Sequence, residues 1–353
     1  MRVIVAPDSF GDTLTAVQAT QAIVDGWRRA RPGDEVIGAP QSDGGPGFVD
    51  VLSATGGEVR NARVSGPLRL SVDARWLLDT EAAYIESAQA CGLSLLDGLP
   101  TRESSLLAHS RGVGELIAAA LEAGATTIVV GLGGSCCTDG GRGLVDALGG
   151  LVSARDALRD VELVAATDVE HILLGPRGAA AVFGPQKGAD SSAVELLEQR
   201  NTQWSSELEK ACGMKVSTMP GAGAAGGIGA ALFALGAVRR SGADVVAERT
   251  GQAELLKSAD VVVTGEGKFD HQSLHGKLVT SVAAAGALYG VPTLVLAGQI
   301  ELTEADYTSF GIVRAESVAT FAGSIEKAMT DARANLRGLA ERTARDWNIW
   351  RTT

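Results

Sequence analysis

Two stretches of this chain place glycines, hydroxyls and charged side chains directly after an apolar run, which is the pattern of a ligand-binding loop. Residues 127–143 read TIVVGLGGSCCTDGGRG, and residues 264–277 read TGEGKFDHQSLHGK. Glycines lack a Cβ, so such a loop can turn with positive φ and aim backbone N–H groups at an anion such as phosphate. Asp139 in the first stretch, and Glu266 with Asp270 in the second, add carboxylates that attract a cation. Both stretches are therefore candidates for a phosphate or metal site.

A purely structural interpretation stays open for each of these residues. Glycine-rich turns between strands and helices are common in α/β proteins and need no ligand. An Asp at such a turn is often only a helix N-cap, which applies to Asp43 and Asp139. Lysines are usually solvated, so Lys268 and Lys277 gain interest only from the glycines and acids that flank them.

Composition limits the class of partner. The 353-residue chain has 42 acidic and 31 basic residues, and its net charge of −11 argues against sequence-independent binding of nucleic acid or of an anionic membrane. Aromatic residues make up only 4%, which leaves little surface for stacking bases. The four cysteines have no CxxC spacing, and the N-terminus opens on a strand-like run without a signal sequence. We therefore expect a cytoplasmic protein with free thiols that acts on a small molecule.

The segments that must position these loops alternate between strand and helix at both ends of the chain. A β-branched run over residues 1–6 leads into the polar group at 7–10, and Thr15 with Gln18 predicts a capping box for the helix that follows. Residues 35–39 repeat the strand, and 42–47 repeat the polar loop. Ligands of α/β proteins collect at the carboxyl ends of such strands.

The middle of the chain has a different pattern. Residues 58–86 read as extended segments separated by turns, which predicts antiparallel strands, so we place a domain boundary near residue 62. Residues 221–229 hold five glycines and predict a buried loop. The apolar spacing from Ile325 to Leu339 predicts one closing amphipathic helix.

The order of the polar motifs resembles that of the bacterial glycerate kinase family, from Val5 to about Val318. Each motif alone is weak, but eight in order are specific. They are Ala6-Pro-Asp-Ser-Phe10, Asp43-Gly-Gly45, residues 112–117 (GVGELI), residues 130–141, Phe183-Gly-Pro-Gln-Lys-Gly188, residues 220–229, residues 264–277 and Leu296-Ala-Gly298.

The resemblance implies an enzyme that transfers a phosphoryl group from ATP, with Mg²⁺, to D-glycerate, with 2-phosphoglycerate as the usual product. It also implies a two-domain α/β fold, in which a flavodoxin-like or Rossmann-like domain carries an inserted second domain of mixed α/β type. With the shift in strand pattern, the flavodoxin-like domain is predicted over residues 1–62 and 240–353 and the insertion over 63–239, with the active-site cleft between them.

Phosphoryl transfer needs donor loops, cations, carboxylates for Mg²⁺ and a base for the attacking hydroxyl. The chain offers candidates for each part, and the sequence leaves open which acid is the base. The catalytic candidates are Asp270, Asp139 and Asp43, and those for metal are Asp43, Asp139 and Glu266. The phosphate candidates are Gly133, Gly134, Ser135, Lys187, Gly265, Glu266, Gly267, Lys268 and Lys277. The substrate candidates are Asp8, Ser9, Ser110, Arg111, Asp168 and Gln272.

Several positions depart from the family pattern. Gly11 and Asp12 stand where the family has Lys and Gly, and Pro46 stands where it has Glu. Replacing a cation by an acid weakens binding of an anionic substrate unless another cation, for which Arg111 is the candidate, compensates. Two alternatives therefore remain open: a kinase with a changed hydroxy-acid acceptor, and a non-catalytic descendant that binds a metabolite.

Overall fold

The computed structural model describes residues 1–274 and 278–350. Its strands are β1 (Arg2–Val5), β2 (Glu35–Gly38), β3 (Glu58–Ser65), β4 (Ser71–Asp79), β5 (Ala82–Glu86), β6 (Thr127–Gly131), β7 (Glu162–Ala166), β8 (Val238–Arg240), β9 (Val261–Thr264), β10 (Lys268–Phe269), β11 (Thr293–Ala297), β12 (Gln299–Ile300) and β13 (Ile312–Ser317).

The α-helices alternate with these strands along most of the chain. They are α1 (Ala16–Ala30), α2 (Phe48–Ser53), α3 (Ala88–Cys91), α4 (Arg102–Leu107), α5 (Arg111–Glu122), α6 (Arg142–Ala147), α7 (Leu151–Ala157), α8 (Ala179–Phe183), α9 (Ser191–Cys212), α10 (Ala224–Ala234), α11 (Gly242–Arg249), α12 (Gln252–Lys257), α13 (Leu278–Ala287), α14 (Glu304–Tyr307), α15 (Val318–Ala322), α16 (Ile325–Thr330) and α17 (Ala332–Trp350).

The chain divides into two compact units. Unit 1 consists of Met1–Ser42 and the chain from Val246 onward, and unit 2 is the insertion Asp43–Val245. The change of strand pattern placed the boundaries near residues 62 and 240 instead. The difference at the first boundary arises because α2, which continues the strand–loop–helix pattern of the N-terminus, packs against β4 and β5 of unit 2.

Unit 1 contains a five-stranded parallel sheet in the order β13-β11-β9-β1-β2. The chain moves from β1 outward to β2, and from β9 outward in the opposite direction to β11 and β13. The order therefore reverses between β1 and β9, as it does in flavodoxin-like folds, and a crevice opens at the carboxyl ends of those two strands. The predicted fold class, a flavodoxin-like domain with a mixed α/β insertion, is confirmed.

Both faces of this sheet are covered. Val3 and Val5 belong to the core under α1 and α17, whereas Ile4 faces the core under α12 and α13. A Cβ at Gly26 of α1 would lie 2.2 Å from the Arg337 carbonyl oxygen of α17, so glycine is needed for this helix contact. Burial on both faces explains why these strands are continuous apolar runs.

Unit 2 contains a six-stranded sheet in the order β3-β4-β5-β6-β7-β8. The pairs β3–β4 and β4–β5 are antiparallel, and β5 to β8 are parallel. The strand order follows the chain order, so this sheet has no point at which the direction of winding reverses. The predicted antiparallel strands over residues 58–86 are confirmed.

Local signals located most helices, with one clear error at the C-terminus. The capping box of Thr15 and Gln18 is present at the start of α1. The single helix predicted from Ile325 to Leu339 is wrong, because the backbone breaks at Asp331 (φ −134°, ψ 63°) and separates α16 from α17. Across residues 1–274 and 278–350, no helix has both the length and the apolar character needed to cross a membrane.

Candidate active site

A crevice lies in unit 1 where the order of its sheet reverses. The loop after β1 carries Asp8 and Ser9, and the loop after β9 carries residues 265–270. The two loops are joined by a hydrogen bond of 2.8 Å from the Asp8 N–H to the Gly265 carbonyl oxygen. Predicted substrate and phosphate residues from opposite ends of the sequence are therefore neighbours.

Glycines let this crevice form because backbones approach each other closely there. A Cβ at Gly265 would lie 1.9 Å from the Leu296 carbonyl oxygen. A Cβ at Gly298 would lie 2.4 Å from the carbonyl oxygen of Gly267. A larger residue at Gly265 or Gly298 would push the loops apart, so these glycines are explained by packing as well as by any ligand.

The crevice continues into a cavity of about 490 Å³. One side of the cavity is polar, and the other is formed by apolar residues of α15, α16 and α17. The polar side carries Asp8, Ser9, Asp12, Thr13, Glu266, Lys268, Asp270 and Gln299, together with the apolar Phe10 and Leu14 from the loop after β1. The apolar side consists of Val318, Ala319, Ile325, Ala328, Met329, Ala332 and Leu336.

Lys268 and Asp270 are neighbouring charges on this wall. The Lys268 ammonium lies 2.9 Å from a Glu301 carboxylate oxygen and 3.8 Å from Asp270 Oδ2. The hydrogen bond to Glu301 is the main cause that raises the pKa of Lys268, which is therefore a cation at neutral pH. Asp270 Oδ1 accepts a 2.8 Å hydrogen bond from the backbone N–H of Gln272. Asp270 is thus held in place while 20% of its side chain stays exposed.

Two other predicted residues, Gln272 and Lys277, belong to the same stretch of the sequence. Gln272 is exposed, and it is absent from the described lining of the cavity. Lys277 lies outside the described residues, so its predicted contact with phosphate stays a prediction.

In unit 2, the loop after β6 uses its acid internally. Asp139 Oδ2 accepts hydrogen bonds from the Ser110 N–H (2.9 Å), the Ser110 hydroxyl (2.8 Å) and the Gly143 N–H (3.0 Å). Asp139 Oδ1 accepts a fourth from the Gly141 N–H at 3.2 Å. These contacts fix the start of α6 and tie it to the start of α5. They agree with a purely structural role for Asp139 at the turn before a helix.

Ser110 is similarly engaged. Its side chain is buried, and its hydroxyl accepts a 3.0 Å hydrogen bond from the Leu144 N–H while it donates to Asp139. Arg111, by contrast, is half exposed and pairs with Glu115 on its own helix at 3.1 Å. Of these two predicted substrate residues, only Arg111 presents a side chain to solvent.

Lys187 lies beneath the same loop. It is 3% exposed, and its ammonium donates hydrogen bonds to the Ser135 hydroxyl (3.0 Å) and the Cys137 carbonyl oxygen (2.6 Å). Burial lowers the pKa of Lys187, and burial raises the pKa of the neighbouring Cys136 thiol to about 12. A lysine in this position supports the loop from below, and its ammonium is not presented to solvent.

The glycines of this loop face other backbone rather than open space. A Cβ at Gly133 would lie 2.5 Å from the Cα of Gly45, and one at Gly134 would lie 2.6 Å from Pro46 Cγ. Pro46, one of the departures from the family pattern, therefore covers Gly134. Whether Gly133, Gly134 and Ser135 also bind phosphate stays a prediction.

Two acids, Asp43 and Asp168, lie at the carboxyl edge of the unit 2 sheet. Asp43 Oδ1 accepts a 3.0 Å hydrogen bond from the Gly45 N–H, and Asp168, just after β7, accepts one of 3.3 Å from the Ala243 N–H. Burial, and to a smaller extent the charge of Asp43, raises the pKa of Asp168. The two predicted carboxylates are therefore close enough to interact.

Sequence reasoning missed one buried acid. Glu86, at the end of β5, is 2% exposed, and it accepts hydrogen bonds from the Gly47 and Val49 N–H groups at 3.1 and 3.3 Å. It caps α2, and burial raises its pKa. Its position as the last residue of an apolar strand was the available signal.

The carboxylates of the described chain fit a Mg²⁺ site that needs few protein ligands. No three His, Cys, Asp or Glu side chains are grouped as metal ligands in the part of the chain that the structure describes. Mg²⁺ in kinases usually keeps several waters and needs only one or two protein carboxylates besides the phosphates. The Asp43 and Asp168 pair, and Glu266 beside the cavity, meet that smaller requirement.

The family model, the relatives of known name and the solved structure that resemble this chain all belong to one family. The model of the glycerate kinase family matches residues 3–156 and 150–348. Glycerate 2-kinase of Escherichia coli K12 is 37% identical over 95% of this chain and 95% of its own length. An uncharacterized protein of Mycobacterium bovis is 57% identical over 98% of this chain and 91% of its own. A crystal structure assigned to glycerate kinase 2 from Salmonella typhimurium LT2 superposes with a TM-score of 0.81, at 34% identity and with full coverage of both chains.

Proposed function

This chain belongs to the glycerate kinase family, and we propose that it transfers the γ-phosphoryl group of ATP to a hydroxyl of D-glycerate. The observation that carries the proposal is the crevice of unit 1, where Asp8, Lys268 and Asp270 border one cavity at the reversal of the sheet. Ligands of open α/β sheets bind at that position. The product is proposed to be 2-phosphoglycerate.

Each polar group of the crevice has a place in such a reaction. Phosphoryl transfer depends on positioning and on neutralising charge, with a carboxylate that accepts the proton of the attacking hydroxyl. Asp270 is proposed as that base, because its backbone contact fixes it and part of its side chain stays exposed. Lys268 is proposed to neutralise charge on the transferred phosphoryl group. Ser9 and Asp8 are proposed to position the hydroxyls of the substrate.

Carboxylates other than Asp8 and Asp270 are proposed to hold Mg²⁺, which neutralises negative charge on the phosphates when it is bound. Glu266 is the candidate in unit 1, and Asp43 with Asp168 are the candidates in unit 2. Asp139 is proposed to support the loop after β6 rather than to contact ligand, because its two oxygens already accept four hydrogen bonds. The contribution of both units to one active site stays a prediction from the resemblance.

A coupled assay of ADP release tests the proposal. Purified protein is supplied with Mg²⁺ and ATP, with D-glycerate or L-glycerate as acceptor, and the Asp270→Asn variant serves as the control. We expect ADP release that requires D-glycerate and that the variant loses, and phosphorus NMR of the product then distinguishes 2-phosphoglycerate from 3-phosphoglycerate. Absence of acceptor-dependent ADP release from the wild-type protein would contradict the proposal.

A second function, transfer to a different hydroxy acid, is favoured by one observation. Asp12 is an exposed acid on the polar wall of the cavity, and no heavy atom of the described residues lies within 4 Å of a Cβ built on Gly11. A negative charge and free space at these positions suit a larger or less anionic acceptor than glycerate. Stabilisation of the protein by Mg²⁺-ATP, without turnover of glycerate, would favour this function.

A further inference from the structure

The cavity of unit 1 has two chemically different sides, and only the polar side is used by the proposed reaction. The opposite side is built from two short helices, α15 and α16, and the first turns of the longer α17. Because the chain breaks at Asp331, α16 and α17 are separate and line the cavity together with α15. A single straight helix, as the sequence pattern predicted, would present these residues as one stripe.

Apolar side chains on this side stay exposed within a partly enclosed space. Ile325 is 48% exposed and Met329 is 58% exposed, whereas Ala328 and Leu336 beside them are buried. Covering Ile325 and Met329 with an apolar ligand would remove a substantial apolar area from water, which is favourable. The volume of about 490 Å³ also falls in the range of sites for ligands larger than a three-carbon acid.

Away from Lys268, the charges of the polar side disfavour an anionic group. Four acids, Asp8, Asp12, Glu266 and Asp270, line the cavity. Lys268 is the one basic residue among the described residues that line it, and its ammonium already pairs with Glu301. Like charges repel strongly at short range, so an anionic group needs an accompanying cation there. A neutral molecule that donates hydrogen bonds from hydroxyl or amine groups meets no such penalty.

We propose that this cavity binds the nucleoside part of the phosphoryl donor, with the base against Ile325 and Met329 and the ribose hydroxyls donating to Asp12. The inference rests on the proposed function, because it assigns one part of the donor to a place in the site. A nucleoside combines a flat, partly apolar base with neutral hydrogen-bond donors, as the two sides of the cavity require. The phosphates then extend along the polar wall toward Lys268.

Adenosine is the probe for this inference, because it carries no phosphate and needs no Mg²⁺. Isothermal titration calorimetry measures its dissociation constant for the wild-type protein, with uridine and ribose as comparison ligands. We expect saturable binding of adenosine that is tighter than that of ribose, since the base contributes the apolar contact. Absence of adenosine binding, in protein that does bind Mg²⁺-ATP, would overturn the inference.

Two substitutions on the apolar side sharpen the test. Met329→Glu and Ile325→Glu each replace an apolar contact by a fifth acid, and we expect each to raise the dissociation constant of adenosine by about tenfold. Val313→Glu is the matched control, because Val313 is 47% exposed, belongs to the same unit and is absent from the described lining of the cavity. Equal affinities in Met329→Glu, Ile325→Glu and the control would overturn the inference.

Failure of the inference and failure of the proposed function give different results. If the protein phosphorylates glycerate and the KM for ATP is unchanged in Met329→Glu, the function stands and the cavity does not bind the nucleoside. If adenosine binds and Met329→Glu weakens it, but no glycerate is phosphorylated, the cavity assignment stands and the acceptor is wrong. A rise in the KM for ATP, with the KM for D-glycerate unchanged, supports both.

Discussion

The loop after β6 in unit 2 and the loop after β9 in unit 1 both carry glycines and at least one acid, and each has a lysine nearby. In unit 2, Asp139 accepts four hydrogen bonds from neighbouring groups, and Lys187 is buried beneath the loop. In unit 1, Lys268 and Asp270 border a cavity with 48% and 20% of their side chains exposed. Loops of similar composition therefore differ in whether their charges are available to a ligand.

The topology of each sheet accounts for the difference. In unit 1, the winding reverses between β1 and β9, so the chain continues from these strands to helices on opposite faces of the sheet, and a crevice opens at their carboxyl ends. In unit 2, the strands follow chain order, and the loop after β6 is covered by residues 44–46 and by the glycines that begin α10. A glycine-rich loop is thus a stronger ligand candidate when it follows a strand at a reversal of the sheet.

The largest expected effect comes from removing the carboxylate charge in the unit 1 loop. Asp270→Asn removes the proposed base, and we expect kcat to fall by about 100-fold to 10,000-fold, the usual contribution of a general base. The melting temperature should stay unchanged, because Asn retains an oxygen that can accept the Gln272 N–H. Steady-state kinetics with thermal denaturation of the same samples provides both quantities.

The control for that substitution is Glu304→Gln, which neutralises an exposed acid on α14 of the same unit. We expect it to change neither kcat nor stability. A similar loss of kcat in Asp270→Asn and Glu304→Gln would mean that net charge, and not the position of Asp270, is responsible.

The second expected effect concerns the corresponding acid of unit 2. Asp139→Ala leaves the Ser110, Gly141 and Gly143 donors without their acceptor, and we expect a loss of about 3 kcal/mol or more in the free energy of unfolding. Urea denaturation followed by circular dichroism measures this loss. Wild-type stability with complete loss of activity would instead place Asp139 in the catalytic machinery. That result would contradict the difference drawn here between the loop after β6 and the loop after β9.

A smaller loss is expected for the buried lysine. Lys187→Met keeps the apolar length of the side chain but leaves the Ser135 hydroxyl and the Cys137 carbonyl oxygen without its donor. We expect a destabilisation of about 1–3 kcal/mol, partly offset because a buried charge is also removed. Urea denaturation again measures it. If Lys187 bound phosphate directly, the variant would instead raise the KM for ATP at unchanged stability.

The smallest expected effect is a dependence on pH. Burial raises the pKa of Asp168, so its carboxyl contributes most to stability when protonated, and that contribution is lost as the pH rises through its folded-state pKa. Asp168→Asn stays neutral, and we expect it to melt at a higher temperature than the wild-type protein at pH 7. The difference should vanish near pH 3, and a difference that grows as the pH falls would contradict the assignment.

Local signals predicted much of the fold. The capping box of Thr15 and Gln18 sets the start of α1, and the unbroken apolar runs locate β1, β9 and β11. These features depend on residues a few positions apart, which a sequence shows directly. The break at Asp331 was missed because no proline or glycine marks it, and the packing of α15 and α17 around it is not local.

The candidate site was harder to predict, because use of a side chain depends on distant partners. Ser110 is 29 positions from the acid that occupies its hydroxyl, and Lys187 is 52 positions from Ser135. The internal contacts of Asp139 could therefore not be read from its motif, and whether the loop also binds a ligand stays a prediction. Asp8 and Asp270 could be named in advance, but their place on one cavity required the order of the sheet.

The most direct test of the central claim, that the donor binds at the unit 1 crevice, is hydrogen exchange of the wild-type protein with and without Mg²⁺-ADP. Mass spectrometry of peptic peptides reports which backbone amides the ligand protects. Our account predicts protection of the peptides that cover residues 8–14, 265–270 and 318–332. Protection confined to residues 131–143 of unit 2, with no change in unit 1, would contradict it.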